Sequence, residues 1–112
     1  MLPLKNRLKK KSDFELVFKK GISFKGDSLF LKVSKNKLET SRFGFVVSKK
    51  VSNKAVVRNK IRRILREIIK KQLPEIKTGL DGVFIVNPIC KNKNFQEIKA
   101  SVNNLMRRAD II

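Results

Sequence analysis

The 112-residue sequence contains no histidine, tryptophan or tyrosine, one cysteine, and only 9 acidic residues against 28 lysines and arginines. Without histidine the commonest general base and metal ligand at neutral pH is gone. The lone Cys90 excludes an internal disulfide and a cysteine zinc site. The acids stand singly, and Asp13 with Glu15 is accounted for by the start of a helix, where the dipole favours negative charge. Phosphodiester cleavage by the protein itself would need a metal held by clustered carboxylates, and the sequence offers no such cluster. Without Trp or Tyr, any stacking on nucleic-acid bases falls to Phe or Arg. Apolar runs of membrane-spanning length are lacking too, and Met1-Leu2-Pro3-Leu4 is too short for a signal-peptide core. A cytoplasmic, soluble protein with no membrane partner is expected.

What is present is charge on a chain that can still fold. The hydrophobic fraction of 41% supports one globular domain over residues 1–112, while the formal charge of +19 opposes compaction and calls for a polyanion. The charge is concentrated in Lys54–Glu67, KAVVRNKIRRILRE. At 3.6 residues per turn, Val57, Ile61, Ile64, Leu65 and Ile68 share one face. Arg58, Arg62, Arg66 and Lys70 repeat at four-residue spacing on another, with Asn59 and Arg63 beside them. Cations stacked in this way repel one another, and between Lys49 and Lys71 the only relieving acid is Glu67. A solvated charged face would intersperse acids, so the stripe is read as a nucleic-acid surface. Lys49, Lys50, Lys54 and Lys60 extend it.

The rest of the chain reads as alternating elements. Residues 1–11 form a basic arm carrying Arg7, Lys9 and Lys10, expected to be loosely ordered. Ser12 is the expected N-cap of a helix that ends at Gly21. Ile22–Phe24 and Ser28–Lys35 are expected strands, the second alternating Leu29, Leu31, Val33 against Phe30, Lys32, Ser34. Arg42–Val47 is expected to pair antiparallel with that second strand. A turn over Gly79–Gly82 precedes a buried strand, Val83–Val86, and a last helix runs from Asn94 to Arg108. The fold class is α+β, a two-layer sandwich in αβββαβα order with helices on a small mixed sheet. Phe14 and Phe18 share a helix face; core packing is their default reading and a base-stacking platform the sharper one. Phe30 beside Lys32 carries the same ambiguity.

Ala55, Arg58-Asn59-Lys60-Ile61-Arg62-Arg63 and Arg66 resemble the signature "RNR" helix of the bacterial ribonuclease P protein subunit. Gly44-Phe45-Val46-Val47-Ser48-Lys49-Lys50 is similar to the strand and loop preceding that helix. Arg7-Leu8-Lys9-Lys10, Asp13-Phe14 and Val17-Phe18-Lys19-Lys20-Gly21 look like the family's first helix. The resemblance implies a protein partner for a catalytic RNA that removes the 5′ leader of precursor tRNA. It implies that the helix and Lys49-Lys50 approach that RNA, with Arg58 and Asn59 also near the leader. It implies a leader cleft holding Phe14 and Phe18, with Phe30 nearby and Lys32 in phosphate contact, and a left-handed βαβ crossover through the central helix. Magnesium is then a requirement of the RNA-based holoenzyme, with no cofactor or metal on the protein and no obligate protein partner. Two other readings stand beside it: a general RNA-binding protein without a leader cleft, and a DNA-binding regulator placing the basic helix in a major groove.

Overall fold

The computed structural model describes residues 2–112. Its elements are α1 (Lys11–Lys20), β1 (Ile22–Lys25), β2 (Leu29–Lys35), β3 (Arg42–Val46), α2 (Ala55–Gln72), β4 (Leu80–Val86) and α3 (Phe95–Arg108), with short 3-10 turns between them. The four strands form one mixed sheet in the order β1-β2-β4-β3. β1 and β2 are an antiparallel hairpin, β2 pairs antiparallel with β4, and β3 runs parallel to β4. The antiparallel pairing expected between β2 and β3 is therefore replaced by two pairings through β4. β4 is buried over most of its length, and a strand apolar on both sides belongs at the centre of a sheet. β3–α2–β4 is the parallel βαβ unit that the resemblance requires.

Alternation along the strands sorts the two faces. Leu29, Leu31, Val33, Phe43, Phe84 and Val86 face one way and form the main core with Ile61, Leu65, Ile68 and Ile69 of α2 and Ile98, Val102, Leu105 and Met106 of α3. Ile69 lies on this face beside the residues the periodicity selects. α3 begins with a reciprocal cap, Asn94 accepting from the Glu97 N–H and Glu97 from the Asn94 N–H, which satisfies two otherwise unpaired donors. To these two layers the structure adds α1 on the opposite face, where Leu8, Val17 and Val83 make a smaller core with Phe14, Val46 and Ile85 packed against it.

Three local expectations change. The basic arm is not loose: Leu2 and Leu8 are buried, Arg7 bridges to Phe43, and Asn6 donates to the Ser41 carbonyl at 2.8 Å. Leu4–Asn6 forms a 3-10 turn, after which Arg7, bridged to Phe43, and Lys10 are extended. α1 therefore starts at Lys11 with Lys10 as its N-cap, and Ser12 lies inside the first turn. The turn expected over Gly79–Gly82 is confined to its start, Gly79 at φ 79°; Gly82 lies within β4, where a Cβ would press on the Phe43 ring at 2.9 Å.

Cys90 is buried in the 3-10 turn Pro88–Asn92. Burial, with a smaller push from Asp27, raises its thiol from the ordinary 9.0 to about 11, against a weaker opposing pull from Lys93. A folded pKa above the unfolded one means this contribution to stability is complete below pH 9 and is lost as pH rises through about 11. Thiol reagents at pH 8 are expected to label Cys90 only at the rate of local opening. Labelling as fast as a free cysteine would contradict the burial.

Candidate nucleic-acid interface

α2 divides as its sequence requires. Ile61, Leu65, Ile68 and Ile69 are buried, whereas Lys54, Asn59, Lys60, Arg63 and Lys70 are exposed and Arg58, Arg62 and Arg66 half-buried. Lys49 and Lys50 are exposed on the loop before the helix. Two of the arginines also hold that loop: the Arg58 guanidinium donates to the Ser52 carbonyl at 2.9 Å, and Arg62 donates to the Val47 carbonyl at 3.3 Å and to Asn59 Oδ1 at 2.9 Å. The ion pairs of the described residues lie elsewhere, at Lys11–Glu15, Arg42–Asp13, Arg42–Asp81, Lys77–Asp110 and Lys93–Glu97. No cation between Lys49 and Lys71 belongs to any of them. The face is thus a run of uncompensated positive charge, suited to counterion exchange with phosphates.

The second candidate surface is the sheet face under α1. Across it the register sets Lys25, Phe30, Ile85 and Val46 in one row, Ser23, Lys32, Val83 and Gly44 in the next, and Ser34, Asp81 and Arg42 in a third. α1 covers the last two rows. Phe14 packs on Gly44 so closely that a Cβ there would run into its ring, and only glycine permits that approach. Arg42 makes a two-pronged pair with Asp81, Nε–Oδ1 2.9 Å and Nη2–Oδ2 2.7 Å, and reaches Asp13 of α1 at 3.4 Å. The Asp81 hydrogen bond, above all, raises the Arg42 pKa against the cost of burial. The first row stays more open, with Phe30, Ile85 and Val46 half-buried, and Phe18 of α1, beside Lys32 of the second row, is 38% exposed.

Phe14 and Phe18 are brought together, ring centroids 6.5 Å apart, but unequally: Phe14 belongs partly to the small core, and Phe18 faces solvent. Lys32 is engaged within the protein. Its ammonium donates to the Phe18 carbonyl at 3.1 Å, near the C-terminal end of α1, and lies 5.8 Å from the centre of the Phe18 ring. The basic arm contributes exposed Lys9 and Lys10, whereas the Arg7 guanidinium donates to the Leu2 carbonyl at 2.7 Å. Sequence reasoning missed Lys25, Val46 and Ile85 as members of the open row and Arg42–Asp81 as the anchor beneath α1. Ile85 sits inside a run that reads as wholly buried, and only the cross-strand register separates it from Phe84. Among the described residues no group of three or more His, Cys, Asp or Glu side chains is gathered in a way that could hold a metal ion. No helix among them is long and apolar enough to cross a membrane.

Comparison with known proteins agrees with this geometry. A family model described as Ribonuclease P matches residues 2–110. The chain is 40% identical over 107 residues to the Ribonuclease P protein component of Alkaliphilus metalliredigens, covering 96% of each chain. It is 45% identical over 105 residues to that of Clostridioides difficile, covering 93% of this chain and 91% of that one. Among solved structures it resembles the RNase P protein of Thermotoga maritima, with a TM-score of 0.83, 33% identity, and 91% of this chain and 96% of that one covered. It also resembles a Staphylococcus aureus RNase P protein mutant described as defective in mRNA degradation activity, with a TM-score of 0.90, 31% identity, and 96% and 91% covered. With the family model spanning nearly all of the chain and the α+β fold shared throughout, the chain belongs to the ribonuclease P protein family, a protein component of the ribonucleoprotein endoribonuclease of tRNA processing.

Proposed function

We propose that this protein works in the cytoplasm by binding the catalytic ribonuclease P RNA through α2 and its preceding loop, and the 5′ leader of precursor tRNA in the open row beside α1. The carrying observation is the presence of two unlike surfaces on one small domain, one cationic without ion pairs among the described residues and one apolar and aromatic row left half-exposed beside α1. The first suits the phosphates of a folded RNA, and the second suits bases of a single strand. Magnesium and the bond-breaking step belong to the RNA in this reading. The protein holds the two RNAs together, which counts most when magnesium is too scarce to screen their repulsion. Adding the protein to a bacterial ribonuclease P RNA at low magnesium is expected to restore leader removal. No stimulation at any protein concentration would end the proposal.

Because the S. aureus neighbour is associated with mRNA degradation, the RNA-free protein is the control. Asp13 of α1 and Asp81 on the sheet beneath it are both held by Arg42, so neither is a free carboxylate among the described residues. The protein alone is expected to leave precursor tRNA intact. Phe18→Ala is expected to weaken precursor tRNA by about 1–3 kcal/mol while leaving mature tRNA unchanged, since only the precursor has bases to stack there. Equal weakening of both substrates would return Phe18 to a packing role. Phe18 is the cleaner probe, because Phe14→Ala also empties the space above Gly44.

A further inference from the structure

Lys32 stands where a lysine has little reason to be. It is half-buried on the sheet face that α1 covers, in the row with Ser23 and Val83, and it joins none of the ion pairs of the described residues. An ammonium drawn out of water without an acid needs other partners. It has two, both from one residue of α1: the Phe18 carbonyl at 3.1 Å, and the Phe18 ring, over which it sits 5.8 Å from the centre. That carbonyl belongs to the last turn of α1, where helix carbonyls lack intrahelical partners; the Val17 carbonyl, one residue earlier, is closed by the Gly21 N–H at 2.7 Å. A cation at this end also meets the negative pole of the helix dipole. Lys19 and Lys20 meet it too, but both are exposed and neither reaches back to the sheet. Arg42 holds the first turn of α1 through Asp13 at 3.4 Å. Side-chain bonds from the sheet thus pin α1 near both of its ends.

We propose that Lys32 is a positioning residue for leader recognition: it fixes the last turn of α1 and the Phe18 ring, so that one face of the ring is held ready for a leader base, and it does not touch the leader itself. The proposal rests on the leader-binding reading above, and it gives Lys32 a part other than the phosphate contact that the family resemblance implies. A ring 38% exposed loses rotamer freedom when a base stacks on it, and contacts that hold it beforehand remove that cost. The ammonium over one face is attracted by the ring quadrupole and occupies that side, which leaves the other for stacking. Phe14, with its ring centre 6.5 Å from that of Phe18, backs the platform from within the same helix. Lys32 therefore acts through Phe18, and its charge is already engaged before any RNA arrives.

The test compares holoenzymes assembled with a bacterial ribonuclease P RNA, measuring affinity for precursor and mature tRNA over a salt series. Lys32→Met keeps the apolar stem and removes the charge and the donor. It is expected to weaken precursor tRNA about fivefold, on the scale of one exposed cation–π contact, and to leave mature tRNA and the salt slope unchanged. In the Phe18→Ala background the same change should have no further effect, because the ring through which Lys32 acts is gone. Lys35→Met removes an equal charge from the exposed end of the same strand and should leave both substrates unaffected. Lys32→Gln carries the same expectations should Lys32→Met fail to fold. A salt slope lowered by about 0.7, with losses that add in the double variant, would make Lys32 a phosphate contact and overturn the proposal. Equal weakening of the two tRNAs, as a general loosening of the fold produces, overturns it too. Full retention of the precursor preference in Lys32→Met overturns this assignment alone. A wild-type holoenzyme with no preference for the precursor removes the leader reading and the assignment with it.

Discussion

Asp81→Ala is expected to lower the unfolding free energy by about 3–5 kcal/mol, the largest effect of any single polar change in this chain. Asp81 is 3% exposed and accepts two bonds from Arg42 and a third from Asn36 Nδ2 at 2.8 Å. Its removal strands a guanidinium only 23% exposed, with Asp13 at 3.4 Å as its remaining partner. The pair Lys11–Glu15, at 4.0 Å with side chains 91% and 64% exposed, is the opposite case and should contribute well under about 1 kcal/mol. Total stabilities of about 5–15 kcal/mol leave little reserve against such a loss, and the +19 charge works in the same direction. Arg42→Met in the Asp81→Ala background should recover part of it, because the damage is an uncompensated charge more than a lost attraction. Urea unfolding of the three proteins measures both effects. A loss below about 1 kcal/mol for Asp81→Ala would mean that Arg42 escapes to solvent.

Replacing Arg58, Arg62 and Arg66 together by alanine is expected to lower the slope of log affinity against log salt for the catalytic RNA by about 2–3, at roughly 0.7–0.9 per phosphate contact. At low salt this is the largest binding effect predicted for the protein. The structure divides it among the three positions. Arg58 and Arg62 also hold the Ser52 and Val47 carbonyls, so their loss loosens the loop that carries Lys49 and Lys50. Arg66 forms no ion pair or side-chain hydrogen bond among the described residues, so Arg66→Ala should change the slope by about one contact with little change in stability. Affinity measured over a salt series, beside unfolding curves, separates the two kinds of loss. An unchanged slope in a folded triple variant would make the stripe a solvated face.

The helices were largely legible because the evidence for them is local. A 3.6-residue period states which side of α2 is buried, and Asn94 with Glu97 states where α3 begins, before any distant contact is known. The absence of acids along α2 is likewise visible in the sequence, and no fold could add them. Strand partners were not legible. The alternation in β2 and β3 fixes which residues share a face but says nothing of neighbours, so two similar strands read as a hairpin when β4 in fact lies between them. The N-terminal segment misled for a related reason. Its lysines dominate its composition, while Leu2, Leu8 and Asn6 lock it to the body through contacts with residues more than thirty positions away.

By itself, then, the sequence determined the cationic face, the apolar stripes that carry it, the missing acid–base groups and the family signature, since all of these are properties of neighbouring residues. Only the tertiary structure decided which part of the sheet stays open. That depends on where α1 comes to rest, and its position is set by Asp13 reaching Arg42, Phe14 closing on Gly44 and Val17 meeting Val83. Each contact joins segments far apart in the chain. Phe30 and Ile85 become a surface because α1 stops short of them, and Lys32 is drawn into the protein because α1 ends beside it. Side-chain identity sets what a surface can bind, and the packing of distant segments decides which side chains remain free to bind it.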